Sequence, residues 1–141
     1  MAGYSGTPLV KKLGVKPGNR VALLGAPRDF KKELADLPAE VKFVGDGGEA
    51  EVAIVFALSA AMFEKRFFAA VKRMTVAGMI WAAWPKKASG IETDLVESKV
   101  REFGLRCGLV DIKVCAINDT WSGLKFVVPI KDRAKRVFAN S

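Results

Sequence analysis

Glu51-Val52-Ala53-Ile54-Val55-Phe56-Ala57-Leu58-Ser59-Ala60, and the chain that follows it as far as Met79-Ile80-Trp81-Ala82-Ala83-Trp84, decide the fold. The apolar run from Val52 to Phe56 reads as a strand buried on both faces. Ser59 is a residue type that caps helices by accepting from a backbone N–H of the first turn. Behind it, Ala60, Phe63, Phe67, Val71 and Met74 form a helical stripe. Ala77-Gly78 marks a turn, and Met79 to Trp84 is a second apolar run. Strand, amphipathic helix and strand in this order predict two parallel strands joined by a right-handed crossover.

Toward the N-terminus, Arg20 to Leu24 reads as a strand between the turn Lys16-Pro17-Gly18-Asn19 and the break Gly25-Ala26-Pro27. Leu9, Val10 and Leu13 share one face, which predicts a helix over Thr7 to Leu13 with Pro8 in its first turn. Phe30, Leu34 and Leu37 predict a second helix over Arg28 to Leu37, closed by Pro38. Val41 to Val44 is a short strand, and Gly45-Asp46-Gly47-Gly48 a loop.

Toward the C-terminus, a helical pattern opens near Gly90 and puts Ile91, Leu95, Val100, Phe103 and Cys107 on its inner side. Leu109 to Ile117 alternates, with Val110, Ile112, Val114 and Ala116 on one face and Asp111 and Lys113 on the other. This is the pattern of a strand near a sheet edge. After a turn at Asn118 to Gly123, Leu124 to Ile130 alternates again and pairs back as a hairpin. The fold class is therefore α/β, a single three-layer domain over residues 1–141 around a mostly parallel six-stranded sheet with a C-terminal antiparallel hairpin. Residues 1–6 and 131–141 are expected to be flexible ends.

The 141 residues suit one domain with its own core. Half are hydrophobic, and 23 Lys and Arg against 15 Asp and Glu give a net charge of +8, which favours acidic partners. Histidine is absent, which removes Ser-His-Asp and Cys-His catalysis and His-ligated zinc. Two cysteines, Cys107 and Cys115, make neither a disulfide framework nor a zinc site, and read as small buried apolar groups. No metal site and no catalytic constellation is read from the residues. The longest apolar run, Val52 to Phe63, is too short to span a bilayer. With no leader pattern at Met1 to Thr7, the expected location is the cytoplasm.

Chemistry concentrates at Trp84-Pro85-Lys86-Lys87-Ala88-Ser89-Gly90, where a strand gives way to a helical pattern. In open α/β sheets ligands bind beyond the carboxyl ends of strands, and helix N-termini attract anions. Ser89 and the amides near Gly90 are candidates to hold a phosphate or carboxylate, with Lys86 and Lys87 adding charge. The competing reading makes Ser89 an N-cap and the lysines solvated. Thr93 and Asp94 follow in what would be the first turn, where an acid suits the helix dipole or orients a lysine. Trp84 and Trp121 are candidates to frame the same cleft by stacking, or else packing residues. Tyr4, Ser5 and Thr7 form a polar arm that would act as a lid if it folds over this edge. Lys131, Arg133, Lys135 and Arg136 form the one dense basic run.

The layout resembles a class I methyltransferase with one strand and one helix deleted. Leu13-Gly14-Val15-Lys16-Pro17-Gly18-Asn19-Arg20-Val21 is similar to that family's lead into its first strand, and the final hairpin to its antiparallel finish. The resemblance implies a Rossmann-like sheet of order 2-1-3-4-6-5. That family follows its first strand with a glycine-rich loop that lets the backbone approach S-adenosylmethionine. Here the loop is Gly25-Ala26-Pro27-Arg28-Asp29, in which one glycine survives as a cofactor contact and Pro27 lacks an N–H. The family's acid after its second strand has Asp46 and Glu49 as candidates. At a finer level the chain resembles a family of small bacterial proteins of unknown function. The carrying residues are Tyr4-Ser5-Gly6-Thr7-Pro8-Leu9, Val21-Ala22-Leu23-Leu24, Trp84 to Gly90 with Thr93-Asp94-Leu95, Val114-Cys115-Ala116 and Trp121-Ser122-Gly123-Leu124.

The expected function is a ligand-binding or regulatory module, not a working methyltransferase, that needs no cofactor. It accepts an anionic small molecule or nucleotide at the carboxyl edge of the sheet. Two alternatives stand beside it. One is a divergent transferase using an adenosyl cofactor. The other is a basic module for protein or nucleic acid, less favoured because no RNA-recognition or helix-turn-helix signature is present. No membrane partner is expected.

Overall fold

A computed structural model describes residues 8–45 and 47–134, and its six strands form one sheet. Helix α1 (Leu9–Leu13) leads to β1 (Arg20–Leu24), α2 (Phe30–Glu33), β2 (Lys42–Phe43) and β3 (Ala50–Phe56). Then come α3 (Ala60–Arg73), β4 (Met74–Pro85), α4 (Glu97–Arg106), β5 (Val110–Ala116) and β6 (Trp121–Val127). The strand order is β2-β1-β3-β4-β6-β5. The first four strands are parallel, and β6 runs antiparallel to both β4 and β5. This is the Rossmann-like order that the methyltransferase resemblance implied.

The sheet separates two apolar layers. Phe63, Phe67, Ala70 and Val71 of α3 and Val100 of α4 pack on one face, over Ala53, Val55, Ile80, Leu124 and Phe126. Val10 and Leu13 of α1, Phe30 of α2 and Leu34 just after it pack on the other, over Val21, Ile54 and Trp81. The continuous apolar run in β3 follows from this: Val52 to Phe56 are all buried, because helices cover both sides. Glu51 holds the start of β1, accepting from the Arg20 amide at 2.7 Å and from its guanidinium, which keeps the Glu51 carboxyl below its usual range.

Several elements differ from expectation. The first helix starts at Leu9, with Pro8 as its N-cap. The second is one turn, Phe30–Glu33, instead of Arg28 to Leu37. Asp36 sits at φ 58°, and Leu37 precedes a proline, so neither continues a helix. The strand expected at Met79 begins at Met74, directly after α3, because the β-branched Thr75 and Val76 favour extended backbone over a turn. A register shift between Ala50 and Val52 absorbs the extra residues. In β5, the edge strand, a similar shift falls between Asp111 and Lys113. It resets the alternation and leaves Ile112 and Val114 at 55% and 50% exposure, where an inward apolar face was expected. Among the described residues no helix is long and apolar enough to cross a membrane.

Candidate functional site

The Trp84–Gly90 motif lies at the carboxyl end of β4, in the middle of the sheet. The β4–β6 ladder carries on to Lys86, whose amide donates to the Thr120 carbonyl at 2.8 Å. A single 3₁₀ turn, Lys87–Ser89, then redirects the chain, and Gly90 takes a left-handed conformation. The helix expected to open near Gly90 begins at Glu97 instead. Gly90 at φ 75° cannot continue a right-handed turn, and the chain from there to Val96 is a loop. The N-terminus of α4 therefore does not follow the motif directly, although Val96, Glu97 and Ser98 at that end line the same groove as Lys86 and Lys87. The Ser89 and Gly90 amides are already bonded to the carbonyls of Lys86 and Lys87.

That loop reassigns two candidates. Asp94 does not stand in the first turn of α4. Its carboxylate accepts from the Ala60 amide at 2.7 Å, at the start of α3, where Ser59 also accepts from Met62 at 3.2 Å. An acid on a helix dipole was the right physics applied to the wrong helix. Ser89 neither caps α4 nor faces open space. Its hydroxyl donates to the Lys86 carbonyl at 2.6 Å and accepts from the Ile91 amide, closing the turn. Thr93 Oγ1 accepts from the Leu95 amide at 3.1 Å, which leaves its hydroxyl proton to donate.

Between the motif and the loop lies an open groove of about 730 Å³. Trp84, Lys86, Lys87, Gly90 and Thr93 line it, as do Ile91, Glu92, Val96, Glu97, Ser98 and Ser122, which were not among the site candidates. Ser89, Asp94 and Trp121 are not part of its wall. The register pairs Trp84 with Ser122 and Pro85 with Trp121, so the two tryptophans point to opposite faces. Trp121 is buried edge-on against Phe56 at 5.1 Å, in the α1-side layer, and does not frame the cleft with Trp84.

The groove wall carries two lysines and two acids, Glu92 and Glu97. Among the described residues Lys86 and Lys87 join no ion pair, whereas Glu97 is held by Arg101 at 2.7 Å. Of the two acids, Glu97 is thus already taken up by Arg101, and Glu92 is left to oppose the lysines. The floor, from Trp84 and the aliphatic Ile91 and Val96, is apolar. A ligand with an anionic end and an apolar or aromatic body matches this division.

The turn after β1 has a different content. Gly25 lies at φ 71°, and a Cβ there would stand 2.6 Å from Arg66 Cζ and 2.8 Å from the Phe56 carbonyl oxygen. Arg66 donates to that carbonyl at 2.7 Å. Arg66 and the Phe56 carbonyl thus lie against one side of Gly25, and Pro27 offers no N–H. This turn therefore departs from the glycine-rich pattern at Ala26 and Pro27. Nothing in the spacing of α3 flags Arg66, because its role depends on where the helix docks. Glu49 lies near Arg20, 3.9 Å from its guanidinium, at the amino end of β1 and away from Gly25. Asp46, the arm Tyr4, Ser5 and Thr7, and Lys135 and Arg136 lie outside the described residues. A second groove, about 750 Å³, runs from Leu24 and Gly25 to Phe68, Lys72 and Arg73. It exists because the link from β2 to β3 is too short to carry a helix over that part of the sheet.

Cys107 and Cys115 are unbridged and half-buried, and burial pushes both thiols up. Among the described residues no group of three or more potential metal ligands is assembled.

No protein-family model and no curated protein matches the sequence. Solved structures do. Precorrin-6y C5,15-methyltransferase from Geobacter metallireducens GS-15 superposes with a TM-score of 0.55 at 12% identity, over 86% of each chain. DhpI, solved as a complex with SAH, gives 0.61 at 8% identity, over 89% of this chain and 85% of that one. The PH0226 protein from Pyrococcus horikoshii OT3 gives 0.61 at 8% identity, over 86% and 87%. The likeness is one of fold: a class I methyltransferase-like α/β sheet.

Proposed function

We propose that the protein is a ligand-binding or regulatory module on a methyltransferase-like fold, and that it does not transfer methyl groups. Its ligand is an anionic small molecule, such as a nucleotide, seated in the Trp84–Thr93 groove. The observation that carries this reading is the pair Lys86 and Lys87, in no ion pair among the described residues, at the mouth of a groove on the carboxyl edge of the sheet. That edge is where open α/β sheets take ligands. The groove is of the size that small molecules occupy, roughly 300–1,000 Å³. Arg66 against Gly25 supports the same reading, because it weighs against the fold family's own cofactor position.

Thermal unfolding with inorganic phosphate, ADP, S-adenosylmethionine and S-adenosylhomocysteine tests it. An anion from this set is expected to raise the melting temperature, and Lys86→Ala with Lys87→Ala to weaken its binding by about 10–100-fold, the worth of one charge-assisted hydrogen bond of roughly 1.5–3 kcal/mol. Lys87 is exposed and Lys86 half-exposed, so the double variant is expected to keep its stability within about 0.5 kcal/mol. Unchanged affinity in that variant would remove the lysines from the site.

A second reading, a divergent adenosyl-dependent transferase, is favoured by one observation: structures of the same fold include methyltransferases and an SAH complex. Calorimetric titration with S-adenosylhomocysteine separates the two, since saturable heat at micromolar concentration supports the transferase.

A further inference from the structure

The antiparallel register of β5 and β6 sets Lys113 directly opposite Lys125. Opposed residues bring their Cβ atoms to about 4.5–5.5 Å, and like charges there are destabilising. On its other side Lys125 pairs with Trp81 of β4, whose ring lies 6.0 Å from its ammonium. Trp81 belongs to the layer under α1. That helix has only 5 residues and stops at Gly14, so it covers Trp81 and leaves Lys125 half-buried at its margin. A Cβ on Gly14 would lie 3.8 Å from Lys125 Nζ.

Two further lysines lie on this side of the sheet, on α1 and in the turn after it. Lys12 Nζ donates to the Ala116 carbonyl, at the end of β5, at 2.9 Å. Lys16, just beyond α1, adds its repulsion to that of Lys113 on Lys125. Burial first, and these two lysines after it, push the Lys125 ammonium below the usual lysine range. Among the described residues none of the four takes part in an ion pair, and the nearest acid on β5, Asp111, is held by Arg101 at 2.9 Å. A cation in the last turn of α1 suits that helix's dipole, which accounts for Lys12. It does not account for Lys16, Lys113 or Lys125.

We propose that Lys12, Lys16, Lys113 and Lys125 form a second anion site, on the α1 side of the sheet, that takes the phosphate group of a small molecule. A phosphate brings about two charges and three strong acceptor oxygens, and so meets several ammonium donors at once. A carboxylate brings one charge and two oxygens. The site lies on the opposite face from the Trp84–Thr93 groove and stands or falls independently of it.

The test is thermal unfolding of the full chain in pyrophosphate, ADP, a twelve-nucleotide single strand or sodium chloride at matched ionic strength. The variants are Lys113→Gln, Lys16→Gln and the pair Lys86→Ala with Lys87→Ala. Pyrophosphate is expected to raise the melting temperature saturably, by roughly 10 °C at a hundredfold excess over Kd. The Lys86/Lys87 variant is expected to keep that rise, and Lys113→Gln and Lys16→Gln each to lose most of it. In chloride alone Lys113→Gln is expected to melt at or above the wild type, because it removes a repulsion. In the Lys86/Lys87 variant, a response to ADP equal to that to pyrophosphate supports an esterified phosphate as the ligand, and a response to pyrophosphate alone supports a free one. The proposal is overturned if the Lys113 and Lys16 variants keep the full rise. It is equally overturned if only a twelve-nucleotide single strand stabilises the protein.

Discussion

Trp81→Ala is expected to lower folding stability by about 3–5 kcal/mol, which is a large part of the 5–15 kcal/mol that typically holds a domain together. Trp81 is the largest fully buried side chain in the molecule as described, and it fastens two layers. Its ring packs under α1, and its Nε1 donates to the Leu13 carbonyl at 2.9 Å, across 68 residues of sequence. Alanine leaves a cavity that the long β4 backbone cannot close, and it strands the end of a helix too short to hold itself. Trp81→Phe separates the terms. It keeps most of the apolar contact and loses the hydrogen bond, for an expected cost of about 1–3 kcal/mol. Urea unfolding followed by circular dichroism measures both. Equal costs for the two variants would mean that the ring contributes little beyond its N–H.

Gly104→Ala is expected to destabilise by about 2 kcal/mol, against the usual benefit of alanine in a helix. A Cβ at this position of α4 would stand 2.5 Å from Phe126 Cζ and 2.7 Å from its Cδ1. Phe126 cannot yield cheaply. It is fully buried, and its ring packs against Phe67 at 5.2 Å in a cluster that also holds Phe63 and Phe103. Helix propensity returns about 1 kcal/mol, and overpacking a tight core costs about 1–3 kcal/mol or somewhat more. The same urea experiment decides the sign. A stabilised variant would show that α4 can ride outward from the sheet at little cost.

The sheet was legible because its signals are local. Val52 to Phe56 is apolar throughout since both faces are covered, and the intervening helices dictate parallel strands. The start of α4 was not legible, since Ile91 and Leu95 keep helical spacing while Gly90, Thr93 and Asp94 make other local bonds. The separation of Trp84 from Trp121 is implicit in the two-residue period of strands, and it needs only the pairing of Trp84 with Ser122 to be seen. The motif marks one wall of the groove, but the far wall, Ile91 to Val96, is a loop whose apolar spacing predicts a helix. Arg66 and the Lys113–Lys125 pair could not be read from sequence at all, because docking angle and register create them.

The central proposal is that ligand binding has moved from the turn after the first strand to the Trp84–Thr93 groove. Amide NMR titration tests it most directly, with ADP and with S-adenosylhomocysteine added to separate samples. ADP is expected to shift Lys86, Lys87, Gly90 and Thr93 and the indole of Trp84, while S-adenosylhomocysteine leaves Leu24, Gly25, Ala26, Arg28 and Asp29 in place. Saturable shifts at Gly25 and Ala26 with S-adenosylhomocysteine, and none at Lys86 to Thr93 with ADP, would contradict it.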